Sequence, residues 1–85
     1  MQKTLLIALL NHRHSDAVKV QRLLTEYGCI VKTRLGIHDG VLDKCSDSGL
    51  IILELVGPEK EKKELARKLK LISKVKIKYV SLSSN

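Results

Sequence analysis

The sequence predicts an α+β fold in which four strands and two helices follow one another in the order βαββαβ. Two continuous apolar segments of strand length, residues 4–10 and 50–56, predict buried strands. Two segments of alternating polarity predict half-exposed strands, and two with apolar residues at helical spacing predict amphipathic helices. The 85 residues are enough for one domain, residues 1–85, with a largely aliphatic core because Tyr27 and Tyr79 are the only aromatic residues.

The first predicted strand, residues 4–10, ends where the polar segment 11–15 begins. Ser15 or Asp16 can cap the helix that follows, because a side-chain oxygen there accepts a free first-turn amide. Gly28 is predicted to end this helix in the left-handed conformation that suits glycine. The apolar face of the helix holds Ala17, Val20, Leu23, Leu24 and Tyr27.

The second predicted strand, residues 29–37, alternates in polarity, and the polar segment 38–49 after it predicts a long hairpin loop. One face of this strand is predicted to hold Ile30, Lys32 and Arg34, and the other Cys29, Val31, Thr33, Leu35 and Ile37. Only Glu54 interrupts the third strand, residues 50–56.

Pro58 suits the first turn of a second helix, whose N-terminal dipole favours the acidic residues that follow. The buried stripe of this helix is predicted to be Leu65, Leu69 and Ile72. In the last strand, residues 74–80, every second residue is predicted to point inward (Val75, Ile77 and Tyr79), against Lys74, Lys76 and Lys78 outward.

This order of elements predicts a ferredoxin-like sheet, with the two continuous apolar strands in the centre and the alternating ones at the edges. Two helices cover only one face of such a sheet, yet both central strands are apolar on both faces. An uncovered apolar face indicates a partner. We therefore expect a homo-oligomer, a dimer or a tetramer, assembled through the sheet.

The net charge of +7 is concentrated near the C-terminus, where residues 58–85 hold nine Lys or Arg against three Glu. A lysine-rich surface of this kind suits an acidic partner. Arg67 is the only arginine among the nine, and aromatic residues for base stacking are almost lacking. Nucleic-acid binding is therefore expected to be non-specific at most.

No spacing of nucleophiles, paired carboxylates or glycines indicates catalysis, so we expect no enzyme activity and no cofactor. Cys29 and Cys45 have neither disulfide-framework nor zinc-finger spacing, and Cys29 is expected to be a small buried residue. No apolar segment is long enough to span a membrane. These features predict a cytoplasmic protein without a membrane partner.

Three segments carry a family resemblance: Glu26-Tyr27-Gly28, Arg34-Leu35-Gly36-Ile37 and the apolar strand from Gly49 to Val56. With them the chain resembles the short bacterial ACT-like proteins named as iron-only hydrogenase system regulators. The resemblance covers most of the chain, but His38 replaces the proline expected there, and the loop around Cys45 is an insertion. It implies an oligomeric ACT-like regulator, related in fold to the C-terminal domain of the nickel-responsive repressor.

ACT domains bind small effectors at subunit interfaces, often near the turn from the first strand to the first helix. The resemblance therefore implies an anionic effector near residues 11–16, where free helix amides and an arginine can hold a carboxylate or phosphate. A second group of candidates lies on the predicted second strand. The predicted ligand-binding residues are Asn11, Arg13, Ser15, Arg34, Gly36 and His38.

These observations predict an oligomeric, effector-binding regulatory module that acts on transcription or metabolism through a partner. An alternative is a non-enzymatic adaptor, or a non-specific nucleic-acid-associated protein, that uses the lysine-rich C-terminal third. A third is a metal-sensing domain, although no spacing forces ligands to converge and we predict no metal site. Its candidate ligands would be His12, His14, His38 and Cys45.

Overall fold

A computed structural model describes residues 2–10, 14–38, 49–72 and 75–84, with the backbone alone at residues 14, 15, 37 and 38. Within these ranges, four strands and two helices follow one another in the predicted order. They are β1 (Gln2–Leu10), α1 (His14–Glu26), β2 (Val31–His38), β3 (Gly49–Leu55), α2 (Glu59–Lys70) and β4 (Val75–Ser83). No helix in the described part of the chain is long and apolar enough to span a bilayer.

The four strands form one antiparallel sheet in the order β2-β3-β1-β4. The two continuous apolar strands, β1 and β3, lie in the centre, as their hydrophobicity predicts. The register is defined by rows that cross the sheet, one of which joins Arg34, Leu53, Leu6 and Tyr79. This arrangement is the ferredoxin-like α+β fold, so the predicted fold class is confirmed.

Both helices pack on one face of the sheet, and the core lies between them and β1 and β3. From the sheet, Leu6 and Leu53 are almost completely buried, and from α2 Leu65 and Leu69 are too. Val20 and Leu24 enter the same core from α1. Burial of each such leucine stabilises the fold by roughly 1.5–3 kcal/mol. The predicted stripe of α2 is confirmed, with Ile72 buried just after the helix.

The N-terminus of α1 and the glycine after it differ from the prediction. The helix begins at His14, so Ser15 and Asp16 lie in its first turn instead of preceding it, and Asp16 is buried. Gly28 does not take the left-handed conformation; it begins a short 3-10 turn, Gly28–Ile30. Among the described glycines, Gly57 has the positive φ, 97°, at the turn between β3 and α2.

The start of β2 also differs from the predicted alternation. Val31 lies opposite Leu55, on the face that the helices cover, whereas Thr33 lies opposite Glu54 on the other face. A bulge between Val31 and Thr33 produces this change, because an extra residue in one strand reverses the face of every residue beyond it. Cys29 precedes the strand and is exposed with a free thiol, so the expectation that it is buried was wrong.

Two tyrosines attach α2 to its neighbours. The Tyr79 hydroxyl of β4 donates a hydrogen bond to Glu59 Oε2 at 2.7 Å, and the Tyr27 hydroxyl donates one to Glu64 Oε1 at 2.5 Å. Lys68 lies 5.0 Å from the centre of the Tyr27 ring, within the range of a cation–π contact. Both ends of α2 are therefore fixed by polar contacts over the apolar core.

Candidate functional site on the open face of the sheet

The sheet has an uncovered side, which we call the open face: its side chains point away from α1 and α2. The strand register assigns residues to it, since neighbours across the sheet share a face. One row crosses it from Leu35 through Ile52 and Ile7 to Lys78. Among the residues whose side chains are described, the apolar ones of the open face are Leu5, Ile7, Leu9, Leu35, Leu50, Ile52, Val80 and Leu82.

The open face is far more exposed than the helix-covered face. Leu9 is 50 % exposed, Leu35 52 % and Leu82 55 %, whereas the residues of β1 that face the helices are buried. Scattered apolar residues are normal on protein surfaces, but here they form a contiguous patch over all four strands. The described structure therefore agrees with the predicted uncovered apolar face.

Charged side chains border this patch on two sides. Lys3 Nζ donates a hydrogen bond to Glu54 Oε2 at 3.0 Å across β1 and β3. This hydrogen bond, together with the charges of Lys3 and Lys32, lowers the pKa of Glu54. On β4, Lys76 lies opposite Leu9, and Lys78 opposite Ile7. The apolar centre of the open face is consequently formed by β2, β3 and β1, while β4 adds Val80 and Leu82 at one end and a basic margin of Lys76 and Lys78 at the other.

The predicted ligand-binding residues near the turn after β1 lie mostly outside the residues that the structure describes. Asn11 and Arg13 are outside the described residues, and the side chain of Ser15 is not described. The described residues at the ends of the strands are placed: Leu10 lies opposite Gly49, which lies opposite His38. The C-terminal ends of β1 and β2 thus lie at the same end of the sheet, on either side of β3.

Arg34 is separated from that end of the sheet. It lies four residues before His38, which is about 13 Å along an extended strand. Its guanidinium donates a hydrogen bond to Gln21 Oε1 of α1. Because Arg34 is exposed and this partner is a neutral amide, its charge is available to an anion at the edge formed by α1 and β2.

Gly36 lies between Arg34 and His38 and faces Ile51. A Cβ added to Gly36 would have no atom within 4 Å, so no described backbone approaches it closely. The candidate metal ligands are not tested: His12 and Cys45 lie outside the described residues, and the side chains of His14 and His38 are not described.

The pair of Lys3 and Glu54 was not recognised from the sequence as part of a functional surface. Glu54 was noted only as an interruption of an apolar strand. The signal was its spacing, because a period of two places Glu54 on the same face as Ile52 and Leu50. A charged residue in that position forms part of the margin of the open face.

Comparison with solved structures supports the fold. An uncharacterized protein from Thermotoga maritima superposes with a TM-score of 0.82 at 24 % sequence identity, covering 98 % of this chain and 100 % of that one. The nitrogen regulatory PII-like protein CPII from Thiomonas intermedia K12, bound to ADP, AMP and bicarbonate, superposes with 0.57 at 15 % identity over 100 % and 97 % of the two chains.

The divalent ion tolerance protein CutA1 from Ehrlichia chaffeensis gives a TM-score of 0.59 at 15 % identity, with 100 % of this chain and 86 % of that chain covered. No protein-family model and no curated protein matches the sequence. At these identities the comparisons establish the ferredoxin-like fold over essentially the whole chain.

Proposed function

We propose that the chain is a non-enzymatic regulatory module that forms a homo-oligomer through the open face of its sheet and binds a small anionic effector. In this role it acts on transcription or metabolism through a partner protein. The contiguous apolar patch on the open face is the observation that carries the proposal. The resemblance to ACT-like regulators supports it, as does a PII-like protein of similar fold with ADP, AMP and bicarbonate bound.

The size of the open face suits a second copy of the same chain. Four strands about 4.8 Å apart, each contributing about seven residues at ~3.3 Å, project an area of roughly 450 Å². Protruding side chains add to this value, which brings it near the ~600 Å² per partner at the lower end of specific interfaces. Covering the half-exposed leucines would supply the apolar burial that drives association.

The charged margin determines how two copies can meet. Lys76 and Lys78 occupy the β4 side of the open face, so a pairing centred on β4 would bring like charges together. A pairing centred on β1 and β3 places the apolar rows at the middle and leaves the lysines at the rim. Their aliphatic stems can then cover apolar surface while their ammonium groups stay in water.

Effector binding is proposed at the edge where α1 and β2 meet. Arg34 provides an exposed guanidinium whose described hydrogen-bond partner is the neutral Gln21. A carboxylate or phosphate could form a bidentate pair with it. Since β2 also contributes Leu35 to the open face, an effector at this edge would be adjacent to the proposed interface and could alter assembly.

The experiment that tests assembly compares leucine-to-lysine substitutions at exposed positions on and off the open face. Leu9→Lys and Leu35→Lys each place a charge on the open face without changing a buried residue. We expect both variants to be monomeric by size-exclusion chromatography with light scattering, at a concentration where the wild type is oligomeric. Leu71→Lys, at an exposed position after α2, is the matched control and should remain oligomeric.

A monomeric wild-type protein, or oligomers that persist in both open-face variants, would contradict the proposed assembly. The effector arm uses a thermal-shift screen of amino acids and phosphorylated small molecules. A ligand at ~100 times its Kd stabilises by about 2.7 kcal/mol. Arg34→Ala should abolish the shift, whereas Arg22→Ala, at an exposed position of α1, should preserve it.

A further inference from the structure

A second feature, which we call the basic groove, lies between α2 and the edge strand β4. Its volume is about 550 Å³, within the range of roughly 300–1,000 Å³ that is typical of small-molecule sites. None of the apolar residues of the open face lines it, and neither does Arg34. The lining residues are Lys63, Ala66, Arg67, Lys70, Ile77, Lys78 and Tyr79.

Four of the seven lining residues are cationic and none is acidic. Lys63, Arg67 and Lys70 recur at helical spacing, so they form one stripe along α2. Two helical turns separate the first from the last, which is about 10 Å along the helix axis. Lys78 borders the groove from the edge strand β4, although the strand register places its side chain on the open face. The positive charge of the groove therefore lies mainly along α2.

The nearby carboxylates are engaged elsewhere. Glu59 accepts the hydrogen bond of Tyr79 and lies 3.8 Å from Lys62, while Glu64 is shared by Tyr27 and Lys68. No cation of the groove forms an ion pair with another residue in the described part of the chain. Like charges held this close repel one another, and a bound anion would relieve that repulsion.

The remaining lining residues give the groove an apolar floor. Ile77 and Tyr79 are half-buried side chains of β4, and Ala66 is buried on α2. The hydrogen bond from Tyr79 to Glu59 fixes the position of the aromatic ring. A ligand for this groove therefore needs several negative charges and an organic part that can pack on apolar side chains.

We infer that the basic groove binds a small phosphorylated organic molecule. Its phosphate groups lie along the cationic stripe of α2, where Arg67 offers a planar fork for two phosphate oxygens. Its organic part packs against Ile77 and Tyr79. The bounded volume and the single aromatic side chain favour a small molecule over nucleic acid, which needs an extended track with several stacking rings. The inference goes beyond the proposed function, because the groove shares only Lys78, at the margin of the open face, with the proposed interface and shares no residue with the Arg34 edge.

The test is a calorimetric titration with ATP and with inorganic tripolyphosphate as probes. The double variant Arg67→Gln with Lys70→Gln removes two charges from the groove. Its matched control, Arg22→Gln with Lys60→Gln, removes the same two residue types from exposed helix positions outside the groove. We expect ATP to bind wild type more tightly than tripolyphosphate does. The groove variant should lose roughly tenfold or more in ATP affinity, and the control should stay within about twofold.

The inference is overturned if wild type does not bind ATP, if tripolyphosphate binds as tightly, or if both double variants lose affinity equally. It is also overturned if a single-stranded oligonucleotide or an oligoglutamate peptide binds more tightly than ATP and depends on Arg67 and Lys70. Light scattering separates this result from the proposed assembly. A groove variant that stays oligomeric but loses ATP supports the groove, whereas oligomers that persist in both Leu9→Lys and Leu35→Lys contradict only the assembly.

Discussion

The left-handed backbone conformation at Gly57 can be tested by one substitution and a matched control. Gly57 has a φ of 97°, in the left-handed region that residues with a Cβ rarely adopt. A Cβ at this position would also lie 3.2 Å from Ile30 Cγ2, a buried atom of the core. Gly57→Ala therefore adds both backbone strain and a tight contact.

The expected cost follows from these two terms. Strain at an unfavourable φ costs of order 1–3 kcal/mol, and each kcal/mol lowers the melting temperature of a domain this size by about 4–8 °C. Gly28→Ala is the control, because Gly28 does not have a positive φ and an added Cβ would meet nothing within 4 Å. It should be neutral or stabilise by up to about 1 kcal/mol, since alanine restricts the unfolded chain.

The assay is urea unfolding followed by circular dichroism, at one protein concentration for all three proteins, so that any oligomer contributes equally. We expect a lower midpoint for Gly57→Ala and an unchanged or higher one for Gly28→Ala. Equal losses in both variants, or a larger loss at Gly28, would refute the reasoning. Such a result would indicate that Gly28 has the left-handed conformation, as the sequence pattern predicts.

Two further predictions concern the tyrosines that hold α2. Burial of the Tyr79 side chain, followed by its hydrogen bond to Glu59, raises the pKa of Tyr79 to about 12. The stability that the neutral phenol contributes is therefore present below pH ~10 and is lost as the pH rises towards 12. In a Tyr27→Phe variant, where Tyr79 is the only tyrosine, tyrosinate absorbance should show this pKa; titration near 10 would contradict it. The hydrogen bond from Tyr27, followed by the charge of Lys68, lowers the pKa of Glu64 from its usual 4.5. The stabilisation that these two contacts give to the ionised carboxylate is therefore present above pH 4.5 and is lost as the pH falls through the lowered pKa. The difference in urea midpoint between wild type and Tyr27→Phe should therefore shrink in acid, and a constant difference would argue against the hydrogen bond from Tyr27 to Glu64.

The arrangement of the fold could be predicted because hydrophobic pattern alone determines much of it. Continuous apolar runs have no polar side to expose, so β1 and β3 had to be central. The alternation of Lys76, Ile77 and Lys78 likewise placed β4 at an edge with one face inward, as the structure shows. These signals depend on solvent exposure, which residue polarity reports directly.

Features that depend on local backbone geometry could not be predicted in the same way. Both Gly28 and Gly57 follow an apolar segment, and composition does not reveal which of them needs the left-handed conformation. The bulge between Val31 and Thr33 left no trace in the alternating pattern, yet it determined that Leu35 belongs to the open face. One inserted residue reverses every side chain beyond it, so a correct strand can still be assigned to the wrong faces.

The candidate sites were predictable only in part. The uncovered apolar face could be predicted, because two helices cover only one face of a sheet whose central strands are apolar on both faces. The basic groove did not, because the lysines of residues 58–85 were considered as one charged segment. Their spacing contained the information: Lys63, Arg67 and Lys70 lie on one side of α2, whereas Lys62 and Lys68 pair with glutamates.

The central position of β1 has a consequence for how the chain folds. β1 is synthesised before both of its partners: it pairs with β3, about forty to fifty residues later, and with β4, where Gln2 meets Ser83. Such distant pairings close slowly, since the intervening chain must be ordered before they form. During synthesis β1 therefore remains without its second neighbour until the final strand leaves the ribosome. Over that interval an apolar strand with at least one unpaired edge is open to chaperones, and in their absence to aggregation with other nascent chains.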